Sequence, residues 1–129
     1  GDNSTDAFKN VYCCLVHKTD LYSSYSLCFK VRLFEINHYC GMAFYYKTSR
    51  GYYAVGINGK EIALYHRNEE TFEIIQKREI EFDDFKDYKI KIIVNKHTLV
   101  YLDDKLVLEG DIQETYPSKV GLVAKSACR

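Results

Sequence analysis

Tyr45, Tyr46, Arg50, Tyr52, Tyr53, Tyr65, His66 and Arg67 fall within one short stretch of the chain. Flat rings of this kind stack on the C–H faces of sugars, and planar guanidinium groups hold paired hydroxyls. Side chains alternate along a strand, so only about half of these rings can share a face. On an outer sheet face, the candidate ligand-binding set is Tyr46, Arg50, Tyr52, Tyr65 and Arg67. The same tyrosines also suit a core, because Tyr is a favoured strand residue.

Catalysis would need a different set. Glycoside hydrolysis uses two carboxylates about 5 Å apart for retention or about 6.5–9.5 Å apart for inversion. Here Glu69-Glu70, Glu79 with Glu81, and Asp83-Asp84 fall in expected turns or connections, where solvation accounts for them. His17, His38, His66 and His97 have no Gly-x-Ser-x-Gly elbow or other nucleophile motif beside them. His38 and His97 sit in expected turns, where an exposed polar ring is the simplest reading. The chain therefore reads as non-enzymatic, with no catalytic residue assigned.

The five cysteines, Cys13, Cys14, Cys28, Cys40 and Cys128, form no C-x-x-C pair, and no His stands at zinc-finger spacing. A structural metal site is not expected. Two states stay open: buried free thiols, or disulfides formed in an oxidising compartment. Asn3-Ser4-Thr5 is a glycosylation sequon, usable only if the chain is secreted.

The elements that must position these residues are strands. The segments 11–16, 26–36, 39–47, 52–57, 61–66, 71–78, 88–94, 99–102, 105–108 and 120–124 carry strand patterns or short apolar runs. Turn signals separate most of them. The 88–94 segment has apolar side chains at Tyr88, Ile90, Ile92 and Val94, with Lys89 and Lys91 between them. Asn58-Gly59 is the strongest hairpin signal, and Asp103-Asp104 is a second tight turn. Asn37-His38 predicts a hairpin joining 26–36 to 39–47, with facing residue numbers summing to about 75. That register sets Cys28 opposite Lys47 and Cys40 near Glu35, too far apart for a disulfide. Residues 18–24 read as a polar connection and 81–87 as an acidic one. No convincing long helix is found, so the fold class is all-β, an antiparallel sandwich or barrel.

At 129 residues this is one domain, with residues 1–7 expected as a flexible tail and 8–129 as the folded unit. Eighteen Lys and Arg balance eighteen Asp and Glu, so the formal net charge is zero. A nucleic-acid partner would normally bring a basic excess, and none is expected here. No apolar run is long enough for a membrane helix, and membrane insertion is not expected. The lack of an initiator Met points to a mature fragment or to a domain excised from a larger protein.

The order of Gly41-Met42-Ala43-Phe44, Gly51-Tyr52-Tyr53, residues 60–64, Tyr88-Lys89-Ile90-Lys91-Ile92, Val100-Tyr101-Leu102-Asp103-Asp104-Lys105 and Val120-Gly121-Leu122 resembles the concanavalin A-like lectin/glucanase superfamily. Within it, laminin G-like domains and levanase-type sugar-binding modules are closest in size and rhythm. The resemblance covers residues 8–125 and implies a jelly roll of two packed antiparallel sheets. It also implies that the first and last strands lie close, which would let Cys128 pair with Cys13 or Cys14. The Glu-x-Asp-x-x-Glu strand of the superfamily's glycosidases is missing. Laminin G-like domains often hold calcium at a loop rim, but Thr48-Ser49-Arg50 stands where relatives often place an Asp. No cofactor is expected, with calcium as the exception to test.

The resulting expectation is a non-catalytic recognition module of a larger secreted or surface protein, with a glycan or protein ligand and an adhesion-type role. The alternative is a structural domain that packs neighbouring chains within a complex.

Overall fold

The computed structural model describes residues 11–21, 24–34, 38–113 and 119–124. Its ten strands are β1 (Val11–Leu21), β2 (Ser24–Leu33), β3 (Cys40–Thr48), β4 (Gly51–Ile57), β5 (Glu61–Asn68), β6 (Thr71–Glu79), β7 (Asp87–Val94), β8 (His97–Leu102), β9 (Lys105–Asp111) and β10 (Gly121–Ala124). They form two five-stranded antiparallel sheets. Sheet A has the order β1-β2-β7-β8-β9, and sheet B has the order β10-β3-β4-β5-β6. The expected two-sheet sandwich is what the chain adopts.

The core lies between the sheets and follows the alternation read in the sequence. Leu27, Phe29, Val31 and Leu33 of β2 face inward beside Tyr88, Ile90, Ile92 and Val94 of β7. Sheet B answers with Met42 and Phe44, then Tyr53, Val55 and Ile57, then Ile62 and Leu64. Enclosing each large apolar side chain contributes about 1.5–3 kcal/mol against its exposed state. That gain holds the two sheets together.

The turns behave as their chemistry requires. Gly59 takes a left-handed φ of 91°, and the Asn58 side chain accepts from the backbone N–H groups of Lys60 and Glu61. Asp103 and Asp104 both have positive φ, 46° and 70°, as a tight turn between twisted strands demands. The Asp103 carboxylate accepts from the Lys89 N–H at 2.9 Å, and Asp104 pairs with the Lys89 ammonium at 2.9 Å. These acids are therefore engaged in fixing β7 to the β8–β9 turn.

One expected pairing is wrong. β2 and β3 do not form a hairpin: β2 lies between β1 and β7 in sheet A, while β3 lies between β10 and β4 in sheet B. The register that set Cys28 opposite Lys47 is replaced by Cys28 opposite His17 and Lys91, and Cys40 opposite Ile57. Both strands are rich in apolar residues, and each gains two ladder partners and a shared core by crossing to a different sheet. A local two-residue turn offers less. Asn37 lies outside the described residues. His38 is half-buried rather than exposed, and that burial lowers its imidazole pKa below the ordinary histidine value.

Several boundaries also shift. Residues 18–21, read as a polar connection, continue β1, because Lys18 to Leu21 pair with Leu27 to Ser24 past a bulge at Val16. β9 runs on to Asp111, and His97 lies in β8 opposite it rather than in a turn.

The two outer faces differ. Sheet A presents Lys30, Arg32, Asp87, Lys89 and Lys91 to solvent, with Arg32 in a two-point ion pair to Asp87 at 2.7 and 2.9 Å. Sheet B presents a second apolar cluster.

Candidate recognition face

Three cross-strand rows cover the outer face of sheet B. Gly41, Gly56 and Ala63 stand opposite one another, and the next row is Ala43, Ala54, Tyr65 and Ile74. The third runs Tyr52, Arg67 and Phe72. Small residues at one end leave a trough that Tyr39 fills. A Cβ on Gly56 would stand 3.1 Å from the Tyr39 Cβ, so this glycine is what lets the ring lie down. Tyr39 stacks on Tyr65 at 5.5 Å and 28°, and near-parallel to Phe72 at 6.3 Å. Its hydroxyl donates to the Glu61 carboxylate, and burial followed by that acidic neighbour pushes its pKa up.

Tyr65 lies beneath this pair with no exposed surface, 4.7 Å from the Phe72 ring. Its hydroxyl is buried without a hydrogen-bond partner among the described residues. Burial first, then the neighbouring Tyr52, raises its pKa far above the tyrosine value. An unmatched buried hydroxyl costs about 1–3 kcal/mol. Tyr65 therefore supports the face from within and presents no ring to a ligand, contrary to its place in the candidate set.

At the turn end of the face, Tyr46 and Tyr52 stack at 5.7 Å and 18°. Regular alternation would not bring them together. Phe44 faces Tyr53 and Thr48 faces Gly51, so residues 45–47 stand opposite Tyr52 alone, and β3 carries two extra residues there. Tyr45 absorbs the excess with a left-handed φ of 46°, dips into the core against Tyr25 and Phe44, and returns Tyr46 to the outside. The bulge is held on both sides. The Tyr45 N–H donates to the Tyr25 hydroxyl at 2.9 Å, and the Tyr46 N–H donates to the Lys119 carbonyl at 2.9 Å.

The arginines form the rim. Arg67 stands between Tyr52 and Phe72, with its Nε donating to the Glu69 carbonyl at 2.7 Å. Burial raises the Tyr52 pKa, and the Arg67 charge works against that rise. Arg50 pairs with Glu70 at 3.0 Å, and its carbonyl accepts from the Glu69 N–H at 2.7 Å. These bonds tie the β3–β4 turn to the β5–β6 turn. Tyr46, Tyr52 and Arg67 thus meet on one surface, with Arg50 at its edge. Rings and guanidinium groups arranged this way can stack a flat partner and donate to its oxygens.

Sequence reasoning missed Tyr39 and Phe72. Phe72 was legible in principle, since carrying β5 through Asn68 sets it opposite Arg67. Tyr39 was not, because its position depends on β3 entering a different sheet from β2.

The remaining candidates contribute nothing to this face. Asn3 and Cys128 lie outside the described residues. Cys13 and Cys14 are free thiols, as are Cys28 and Cys40. Cys13 packs on the core with its Sγ 3.7 Å from the Gly41 carbonyl, and burial pushes its pKa up to about 12. Cys40 rises likewise to about 12. Among the described residues no three His, Cys, Asp or Glu side chains gather as metal ligands.

Fold and face together define a two-sheet antiparallel β-sandwich with an aromatic outer face on sheet B. The structure is similar to the carbohydrate binding module CBM66 from Bacillus subtilis, with a TM-score of 0.58 and 12% identity over 85% of this chain and 83% of that one. It is equally similar to sheep galectin-11, solved in complex with glycerol, with a TM-score of 0.58 and 14% identity over 91% of this chain and 95% of that one. No protein-family model matches the sequence, and no curated protein matches it. At these identities the likeness is one of fold.

Proposed function

We propose that the chain is a non-catalytic recognition module that binds a glycan on the outer face of sheet B. The observation that carries this reading is the row Tyr46, Tyr52, Arg67 and Phe72, in which a stacked tyrosine pair and a ring flank an anchored guanidinium. A sugar stacks on the half-exposed Tyr46 ring, and Arg67 donates to its hydroxyls. Tyr65 and Tyr39 brace the floor. The fold's likeness to a module named for carbohydrate binding supports the reading. The finer kinship with laminin G-like or levanase-type modules belongs to the same proposal. So do an adhesion-type role, secretion or display at the cell surface, and linkage to further domains. Recognition proceeds without a cofactor, and added calcium leaves affinity unchanged.

A second reading rests on a separate observation. Ala43, Ala54, Ala63, Tyr52 and Tyr65 form an apolar cluster on the outside of a sheet, with Ile74 and Val123 packed against it. The half-buried rings that cover it, Tyr39, Tyr46 and Phe72, also suit a protein partner, in a structural or assembly role. A glycan array of neutral, acidic and fructan-type sugars separates the two. Binding of one class supports the glycan reading, and silence across all three leaves the protein partner.

A further inference from the structure

A cleft of about 650 Å³ opens between the edges of the two sheets, where β6 of sheet B meets β9 of sheet A. It borders the tyrosine face at Ile74 and opens on the other side of β6, and the sequence gives no hint of it. We propose that this cleft is a second binding site, for a neutral oligosaccharide.

The floor is aromatic. Phe44 and Tyr53 stack at 5.9 Å, and Tyr53 and His66 at 4.0 Å and 4°. His66 is thus the last ring of a row that runs out of the core, and it lines the cleft beside Tyr53. Its plane is fixed by the Tyr53 ring beneath it, so a stacking ligand loses little further entropy in ordering it. Asn68, Thr71, Gln76 and Gln113 supply amide and hydroxyl groups to the walls, and Glu73, opposite His66 in the ladder, supplies a carboxylate. Such groups hold pairs of sugar hydroxyls, and hydrogen bonds to a charged acceptor are roughly twice as strong as neutral ones.

The other two acids at this edge are already engaged: His97 contacts Asp111 through Nδ1 at 2.7 Å and Glu109 through Nε2 at 3.0 Å, on the solvent side of β8 and β9. Gln76 accepts the Glu109 N–H at 2.6 Å, which bridges β6 to β9 and marks one end of the cleft. Beyond that bridge a second hollow of about 490 Å³ continues past Lys77, Arg78 and Leu106, still sharing Gln76 and Glu109. The groove therefore has length for more than one sugar unit, and its volume is in the usual range of about 300–1,000 Å³ for ligand sites. Among the described residues no Lys or Arg lines the first hollow, whereas Glu73 does and Glu109 and Asp111 stand at its edge, so anionic sugars are repelled from it.

The test is an amide-resolved NMR titration of the folded protein with lactose, cellobiose and a fructose trisaccharide, with sialyllactose as the anionic probe. At least one neutral probe is expected to shift the Thr71, Gln76 and Gly110 amides. Sialyllactose is expected to shift them at least tenfold less at equal concentration. Glu73→Lys, a change at an exposed edge position, is expected to remove those shifts while the rest of the spectrum is retained. Stationary cleft amides with all three neutral probes overturn the proposal, as does an equal response to sialyllactose. The outer-face reading is scored separately by the Tyr46, Tyr52 and Arg67 amides. Movement there alone sinks the cleft and keeps the face, and movement in the cleft alone does the reverse.

Discussion

The outer faces of sheets A and B are built on the same period-two geometry and do opposite things. On sheet A the outward positions where β2 meets β7 are mostly charged, and Lys30 stands directly opposite Lys89 with only solvent and neighbouring acids to offset the repulsion. On sheet B the outward positions are small residues and stacked rings, with Tyr65 as enclosed as any core residue. One face is a solvated exterior. The other behaves as an incomplete interior with a polar rim, and recognition surfaces combine those two properties. The difference does not come from the ladders, which are equally regular. It comes from what fills the outward half of each alternation, and from one bulge that delivers Tyr46 to the aromatic side.

The largest expected contrast is in stability. Tyr65→Ala is expected to destabilise the fold by about 3–5 kcal/mol, as large-ring truncations in cores do. Lys91→Ala on the other outer face is expected to stay within about 0.5 kcal/mol. Urea denaturation of both variants decides whether sheet B really carries a second packed layer. Next comes ligand affinity. Removing a charged donor costs about 1.5–3 kcal/mol, so Arg67→Ala is expected to weaken glycan binding tenfold or more by calorimetry. A smaller and opposite effect is expected from Tyr65→Phe. It removes a hydroxyl that lacks a partner among the described residues, so thermal stability is expected to hold or rise slightly.

The smallest effects are titrations. Asp111 first, then Glu109, raises the His97 pKa above the ordinary value of 6.5. A raised folded-state pKa means that the stabilisation is complete below pH 6.5 and is lost as pH climbs through the raised value. The melting-temperature gap between the native chain and His97→Gln is therefore expected to be widest in mild acid and to close in alkali. For the same reason of protonation, Cys13 and Cys40, with thiols near 12, are expected to resist alkylation at neutral pH.

Much of this was legible in the residues. The alternation at Tyr88, Ile90, Ile92 and Val94 identified a half-buried strand, and Asn58-Gly59 and Asp103-Asp104 identified two hairpins, because those signals are local. Tyr46, Tyr52 and Arg67 could be nominated together for the same reason. The failures were non-local. The β2–β3 hairpin looked sound over ten residues but lost to pairings more than fifty residues away, such as Phe29 with Ile90. Burial of Tyr65 under Tyr39 depends on that same crossing between sheets. The cleft at His66 needs β6 and β9 side by side, and nothing in either segment announces it.

The most direct measurement is calorimetric titration of the best array ligand against two single variants, Arg67→Ala on sheet B and Lys91→Ala on sheet A. Affinity is expected to fall at least tenfold in the first and to stay unchanged in the second. Equal losses in both, or a loss confined to Lys91→Ala, would contradict it.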